Sequence, residues 1–202
     1  VKAPPGVFRL LGGGILAPPA VRLDGERVFL RPPTPRDWQE WAELRRSSRA
    51  FLEPWEPTWP ADSLSRAAFL RRVRRAAQEW RDDDGYAFLV FAQDAERMVG
   101  GITLSNVRRG VAQMGTIGYW VGAADARKGY TGEAARLVVR YAFGKLGLHR
   151  VEAACLPVNA PSIGLLEKIG FRREGLARGY LRIAGRWQDH LLYGAVREDW
   201  RG

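Results

Sequence analysis

Hydrophobic spacing changes several times along this chain, and each change marks an element. ERVFLR (26–31) reads as a first strand, stopped by Pro32 and Pro33. Trp38, Trp41, Ala42 and Leu44 fall at helical spacing within 36–48, with Thr34 or Asp37 as the cap. A second helix is predicted over 61–80, capped by Asp62 or Ser63, from Ala67, Leu70, Val73, Ala77 and Trp80. Between them lies FLEPWEPTWP (51–60), whose three prolines predict a loop. DDDG (82–85) is a turn, and YAFLVFAQ (86–93) and MVGGITLSNV (98–107) form a hairpin across DAER. QMGTIGYWV (113–121) is the next strand.

A helix over 132–146 follows, with Ala134, Leu137, Val138, Tyr141 and Ala142 on one face and Gly147 ending it. Strand 150–155, helix 160–169 and a hairpin of 171–183 with 186–196 complete the order. Hairpins with one strand–helix–strand crossover imply a mixed α/β sheet. At that crossover, MGTIGYWVG (114–122) empties into ARKGYTGEA (126–134) at a helix start. Such a turn points backbone N–H groups outward and favours an anion, with Arg127 and Lys128 adding charge. It is neither a Walker A nor a G-x-G-x-x-G loop, and an ordinary strand–turn–helix link would read the same way.

Composition narrows this picture. The chain has 202 residues, 46% hydrophobic and 27% charged, enough for one domain with a real core, expected over 21–202. Residues 1–20 are too broken by Gly and Pro for a signal peptide and read as a loosely ordered arm. No apolar run approaches the roughly 18 residues a membrane span needs. One cysteine, Cys155, allows no intrachain disulfide and suggests a reducing compartment, with the cytoplasm as default. A small residue in VEAAC is read as core rather than as an acyl nucleophile. With two histidines far apart and one cysteine, no zinc site is supported. The net charge of +10 suits phosphates, RNA or a ribosome as partners. Solvated or locally paired arginine is the plain alternative, and without aromatic interleaving or a nucleic-acid motif direct RNA recognition is not favoured.

The turn, followed by RVEAACLP (150–157) and NAPSIGLLEKIGF (159–171), resembles the acyl-CoA core of the GNAT acetyltransferases. PWEP (54–57), GYW (118–120), HRVEA (149–153) and GRWQDHLLY (185–193) are similar to its RimJ/RimL branch, over roughly residues 24–200. The resemblance implies the GNAT fold, with a mixed, mostly antiparallel sheet of about six or seven strands flanked by about four helices. It implies acetyl-CoA as co-substrate, no metal, and a protein N-terminus, of a ribosomal protein among others, as acceptor. The protein is then a monomer or homodimer. Backbone groups of Tyr119, Trp120 and Val121 would pair with the pantetheine arm, and Arg127, Lys128, Gly129, Tyr130, Thr131 and Gly132 would cradle the pyrophosphate. Gly118 is compatible with a bulge that aims N–H groups at the thioester. Ser162 would donate to the leaving sulfur, and Asn159 would hold the cofactor. A helix cap and an Asx-turn are the plainer roles for the two.

Departures from the pattern matter as much. MGTIGYWVG carries no carboxylate where many members place a Glu, and Leu166 stands where many place a Tyr. In the turn, Ala126 takes the usual Gln/Arg position, Arg127 a common Gly position, and Thr131 the last position. Glu53, Glu56, Trp55 and Trp59 in the PWEP loop could hold and wall an ammonium, or form an apolar lid with solvated acids. Asp189 would be structural or orient the substrate, with His190 on the opposite face of its strand. A small-molecule amine acetyltransferase, such as one for aminoglycosides, amino acids or polyamines, fits the same fold. A non-catalytic acyl-CoA-binding or RNA-associated module also remains open.

Overall fold

The structure, a computed structural model, describes residues 19–201. The arm expected over 1–20 therefore lies, except for its last two residues, outside the described residues. Eight strands form one sheet: β1 Leu23–Asp24, β2 Val28–Arg31, β3 Tyr86–Ala92, β4 Met98–Arg108, β5 Met114–Val121, β6 Arg150–Cys155, β7 Arg172–Ile183 and β8 Arg186–Val196. Five α-helices accompany them: α1 Trp38–Ser47, α2 Arg49–Leu52, α3 Arg66–Asp82, α4 Tyr130–Gly144 and α5 Ala160–Lys168. The expected fold class holds, with one more strand than the upper count and one more helix. Two-residue β1 and four-residue α2 are too short to leave a periodic signature.

Strand order is β1-β2-β3-β4-β5-β6-β8-β7. Every neighbouring pair is antiparallel except β5 and β6, which α4 joins as a parallel crossover. Helices cover both faces, so central strands bury both sets of side chains. Phe88 and Val90 of β3 pack with Ala134, Val138 and Ala142 of α4. Leu89 and Phe91 pack on the other face with Trp41 of α1 and Phe69 and Val73 of α3.

Local chemistry shifts several boundaries. Ser65, not Asp62 or Ser63, caps α3, its Oγ accepting from the Ala68 N–H at 3.1 Å. The first helix opens on a 3₁₀ turn, Pro35–Asp37, and the Asp37 carboxylate accepts from the Thr34 N–H at 2.6 Å. The segment 51–60 is not all loop. Phe51 and Leu52 finish α2, and Glu53–Trp55 make a 3₁₀ turn with Pro54 among its first residues, where no N–H is required.

Within β5, Gly118 does not sit in a bulge. It stands in regular register opposite Thr103, and the irregularity lies on β4 between Ser105 and Arg108, where Asn106 has φ +52°.

Candidate active site

Strands β5 and β6 are in register over only three pairs, Met114–Arg150, Gly115–Val151 and Thr116–Glu152. Beyond Thr116, β5 continues to Val121 paired with β4 alone, while Ala153–Cys155 of β6 pair with β8 alone. The sheet is therefore open on one side of Ile117–Val121, leaving an extended backbone free to bind an extended ligand. The helix that starts at Tyr130 begins at the open end, and α5 begins just after β6.

The turn into α4 adopts left-handed backbone at two alternate residues, Arg127 with φ +62° and Gly129 with φ +84°. Arg127 thus occupies, at a conformational penalty, a backbone state that glycine takes readily. Among the described residues, no backbone N–H from Arg127 to Gly132 donates to another group of the chain. Six successive amides without an internal partner at a helix N-terminus are an arrangement that favours an anion.

Four cations surround this turn, and three of them, Arg97, Lys128 and Arg27, are already engaged. Asp125, almost fully buried, receives a bidentate bond from Arg97 (2.7 and 2.6 Å) and an ion pair from Lys128 Nζ at 3.1 Å. The Arg97 hydrogen bond, supported by Lys128, holds the Asp125 carboxyl below its ordinary range despite burial. Lys128 therefore braces the turn as well as adding charge, whereas the exposed Arg127 side chain makes no ion pair among the described residues.

Sequence reasoning missed Arg27. Its Nη1 donates to the Lys128 carbonyl at 2.9 Å, its Nε meets Glu133 at 3.3 Å, and its Nη2 lies 2.5 Å from where a Cβ on Gly129 would stand. Glu133, in the first turn of α4, also accepts from the Arg27 backbone N–H at 2.9 Å. The only sequence signal was basic character at the start of a strand, which could not show a contact spanning a hundred residues.

At the other end of the opening, the two N-x-x-S residues divide their tasks. Asn159 is the N-cap of α5, its Oδ1 accepting from the Ser162 N–H at 3.1 Å. Ser162 is therefore not the cap, and its hydroxyl instead meets the Tyr119 hydroxyl at 2.7 Å. Burial pushes the Tyr119 phenol above its ordinary range, against the Ser162 hydrogen bond, which lowers it. Cys155, at the end of β6, is buried, and burial likewise raises its thiol. A protonated, buried thiol is a poor nucleophile, as the core reading expected.

On the opposite face of β5, Trp120 lies across Gly101, where any Cβ would fall 2.5 Å from the indole Nε1. Trp120 joins Trp41 and Trp59 around the Arg45 guanidinium, with ring centroids 4.9, 5.8 and 4.3 Å from its Cζ. Arg45 holds Glu56 in a fork at 3.0 and 2.5 Å, and Trp59 Nε1 donates to the same carboxylate at 2.7 Å. An unpaired Glu56 waiting for an ammonium does not fit this geometry, because both oxygens and the charge are taken. Glu53 pairs with Arg49 at 2.7 Å on the surface, beside the half-exposed Trp55. Asp189 faces solvent, its Oδ1 accepting from the Gly179 N–H at 2.8 Å where β7 loses register, while His190 is buried. That placement makes Asp189 a brace of the β7–β8 hairpin. The hairpin tip reaches the PWEP segment, the Ala184 N–H donating to the Glu56 carbonyl at 3.0 Å.

Comparison with known proteins gives a consistent result. The model of the family described as Acetyltransferase (GNAT) domain matches residues 27–172. The chain is 34% identical over 177 residues to the protein of Bacillus subtilis (strain 168) named Probable N-acetyltransferase YjcK, covering 88% of this chain and 98% of that one. It is 32% identical over 182 residues to the [Ribosomal protein uS5]-alanine N-acetyltransferase of Escherichia coli (strain K12), covering 90% and 94%. Among solved structures, Mycobacterium smegmatis RimJ in complex with CoA-disulfide superposes with a TM-score of 0.81 at 33% identity, over 85% of this chain and 82% of that one.

Proposed function

The chain belongs to the GNAT acetyltransferase family, and from that premise we propose that it transfers an acetyl group from acetyl-CoA to the α-amine of a protein N-terminus. Residues 21–202 act as one catalytic domain. In this reading the pyrophosphate of CoA sits on the amides of Arg127–Gly132, beside Arg127 and Arg27. The pantetheine arm lies along Tyr119–Val121 in the open side of the sheet, with Asn159 and Ser162 at the thioester end. Mycobacterium smegmatis RimJ, 33% identical to this chain, is seen in complex with CoA-disulfide, and that supports the co-substrate.

One observation favours an N-terminal amine over a lysine or a polycation: the carboxylates near the PWEP loop are already neutralised. Glu56 is locked by Arg45, Glu53 is paired with Arg49, and β5 offers no acid. With the PWEP carboxylates paired and no acid on β5, the acceptor is left to supply its own neutral form. An α-amine with a pKa of about 7.8 is roughly a tenth neutral at pH 7, a fraction on the order of 300 times that of a lysine at about 10.4. Polyamines and aminoglycosides would need anionic subsites, and the two PWEP carboxylates are already paired.

The amine then attacks the thioester directly while both substrates are bound, with no acyl-enzyme on Cys155. The alanine-specific relatives make a ribosomal protein in the cytoplasm the first acceptor to test. The decisive assay compares one lysine-containing peptide with a free N-terminal Ala or Ser and with that terminus blocked. The free form should react at least a hundredfold faster. Equal rates would point to lysine, and no turnover of either would move the assignment to a small amine.

A further inference from the structure

We propose that Tyr119 is a positioning residue that turns the Ser162 hydroxyl toward the departing sulfur of CoA, so that thiolate release is assisted by a pair of hydroxyls spanning the gap between sheet and helix. The proposal rests on the acetyl-CoA reading above.

The two residues are 43 apart in sequence and meet only because β5 and β6 separate beyond Thr116. Tyr119 sits on the open stretch of β5, with its side chain on the face covered by α4 and α5. Asn159 caps α5, which leaves the Ser162 Oγ uncommitted to backbone. Leu166, at the helix position where a tyrosine is common in the family, is fully buried in the core and has no proton to offer. The structure therefore supplies a phenol from the strand where the helix lacks one.

Burial bears on which hydroxyl donates. Desolvation keeps the Tyr119 phenol protonated, so it has a proton to give; the 2.7 Å contact admits either hydroxyl as donor, and in the proposed arrangement Tyr119 donates to Ser162 Oγ. A serine hydroxyl has one proton and two acceptor sites, so the Ser162 proton is then directed elsewhere. The titratable and charged groups around the pair are Cys155 on β6, which also neighbours the Ser162 hydroxyl, Tyr193 on β8, Arg173 on β7 and Glu167 on α5, the last receiving the Tyr193 hydroxyl at 3.2 Å. A hydroxyl that accepts a bond donates its own more strongly in a low-dielectric site.

In the reaction the amine lone pair forms a C–N bond to the thioester carbon, and the C–S bond then breaks with its electron pair on sulfur. A thiol titrating at about 8.5 is too acidic for its thiolate to take the Ser162 proton, or that of a phenol above 10. The pair therefore donates a hydrogen bond, and the proton that neutralises sulfur is the one released by the amine nitrogen.

The test uses the intact protein with CoA itself. The thiol of bound CoA is titrated through the ultraviolet absorbance of its thiolate, which needs no acceptor. Its pKa should lie below that of free CoA. Tyr119→Phe should bring it back up by about half a unit to one unit, and Ser162→Ala by at least as much. The double variant should go no further than Ser162→Ala alone, because Tyr119 acts through Ser162. With an accepted peptide, Tyr119→Phe should lower kcat about fivefold and leave the KM for acetyl-CoA within about twofold. An unchanged thiol pKa in Tyr119→Phe would overturn the proposal, even if the variant were less stable. Additive effects in the double variant would also overturn it. Failure of calorimetry to detect any CoA binding by the wild type would remove the acetyl-CoA reading itself, and this proposal with it.

Discussion

Replacing Glu56 by Gln separates a packing role from a substrate role. In the folded protein the Arg45 side chain is only 10% exposed and Glu56 20% exposed. Arg45 Nε has no hydrogen-bond partner, so Glu56 is the one full charge compensating the guanidinium. Breaking a buried pair by removing one partner typically costs ~3–5 kcal/mol, and the residual exposure of Glu56 puts this case near the lower end. The aromatic faces of Trp59 and Trp120 remain and retain ~1–2 kcal/mol. For a chain of this size, a loss of ~3 kcal/mol lowers Tm by about 6–12 °C. Glutamine can still accept from Trp59 Nε1, so the loss should come from the charge. Adding Arg45→Met removes the stranded cation and should recover at least about half of the deficit. Thermal unfolding of the two single variants and the double variant measures this. A Tm within about 2 °C of wild type in Glu56→Gln, together with a tenfold rise in peptide KM, would refute the argument and return Glu56 to the substrate.

Two further outcomes follow from the turn into α4. Gly129→Val forces a β-branched residue into a backbone state at φ +84° and places its Cβ against Arg27, so CoA affinity by calorimetry should fall at least about tenfold; unchanged affinity would put the phosphates elsewhere. Asp125 has its folded pKa depressed by Arg97 and Lys128. Its stabilisation is therefore fully present above the unfolded carboxylate value of about 3.9 and is lost as the pH falls through the lower folded value. Urea unfolding from about pH 6 to about pH 2 should show a shallower acid limb in Asp125→Asn, and parallel limbs would mean that the pairing contributes nothing.

What could be read from the chain was what depends on neighbours in sequence. The β3–β4 hairpin, the face of α4 and the bounds of β6 follow from periodicity over a dozen residues or fewer. The turn at Arg127–Gly132 was legible because a strand, a glycine and a helix start are adjacent. Partners across space were not legible. Arg45 for Glu56, Asp125 for Lys128 and Tyr119 for Ser162 each depend on which side chain the fold brings near, and two of these pairs changed the role expected of a residue. The prolines of 51–60 misled for a local reason, since Pro54 stands early in a 3₁₀ turn, where helical geometry tolerates it.

The separation of β5 from β6 places an unfinished margin of the sheet inside the molecule. Margins on the outside of a protein invite any extended chain to add itself, and folds blunt them with charge, proline or distortion. Here the margin is short, running from Ile117 to Val121, and one of its faces is roofed by α4 and α5. Shortness and the helical roof do for this margin what charge and proline do for an outer one, so a stretch of unpaired strand that could have been an aggregation hazard is kept from pairing with another chain.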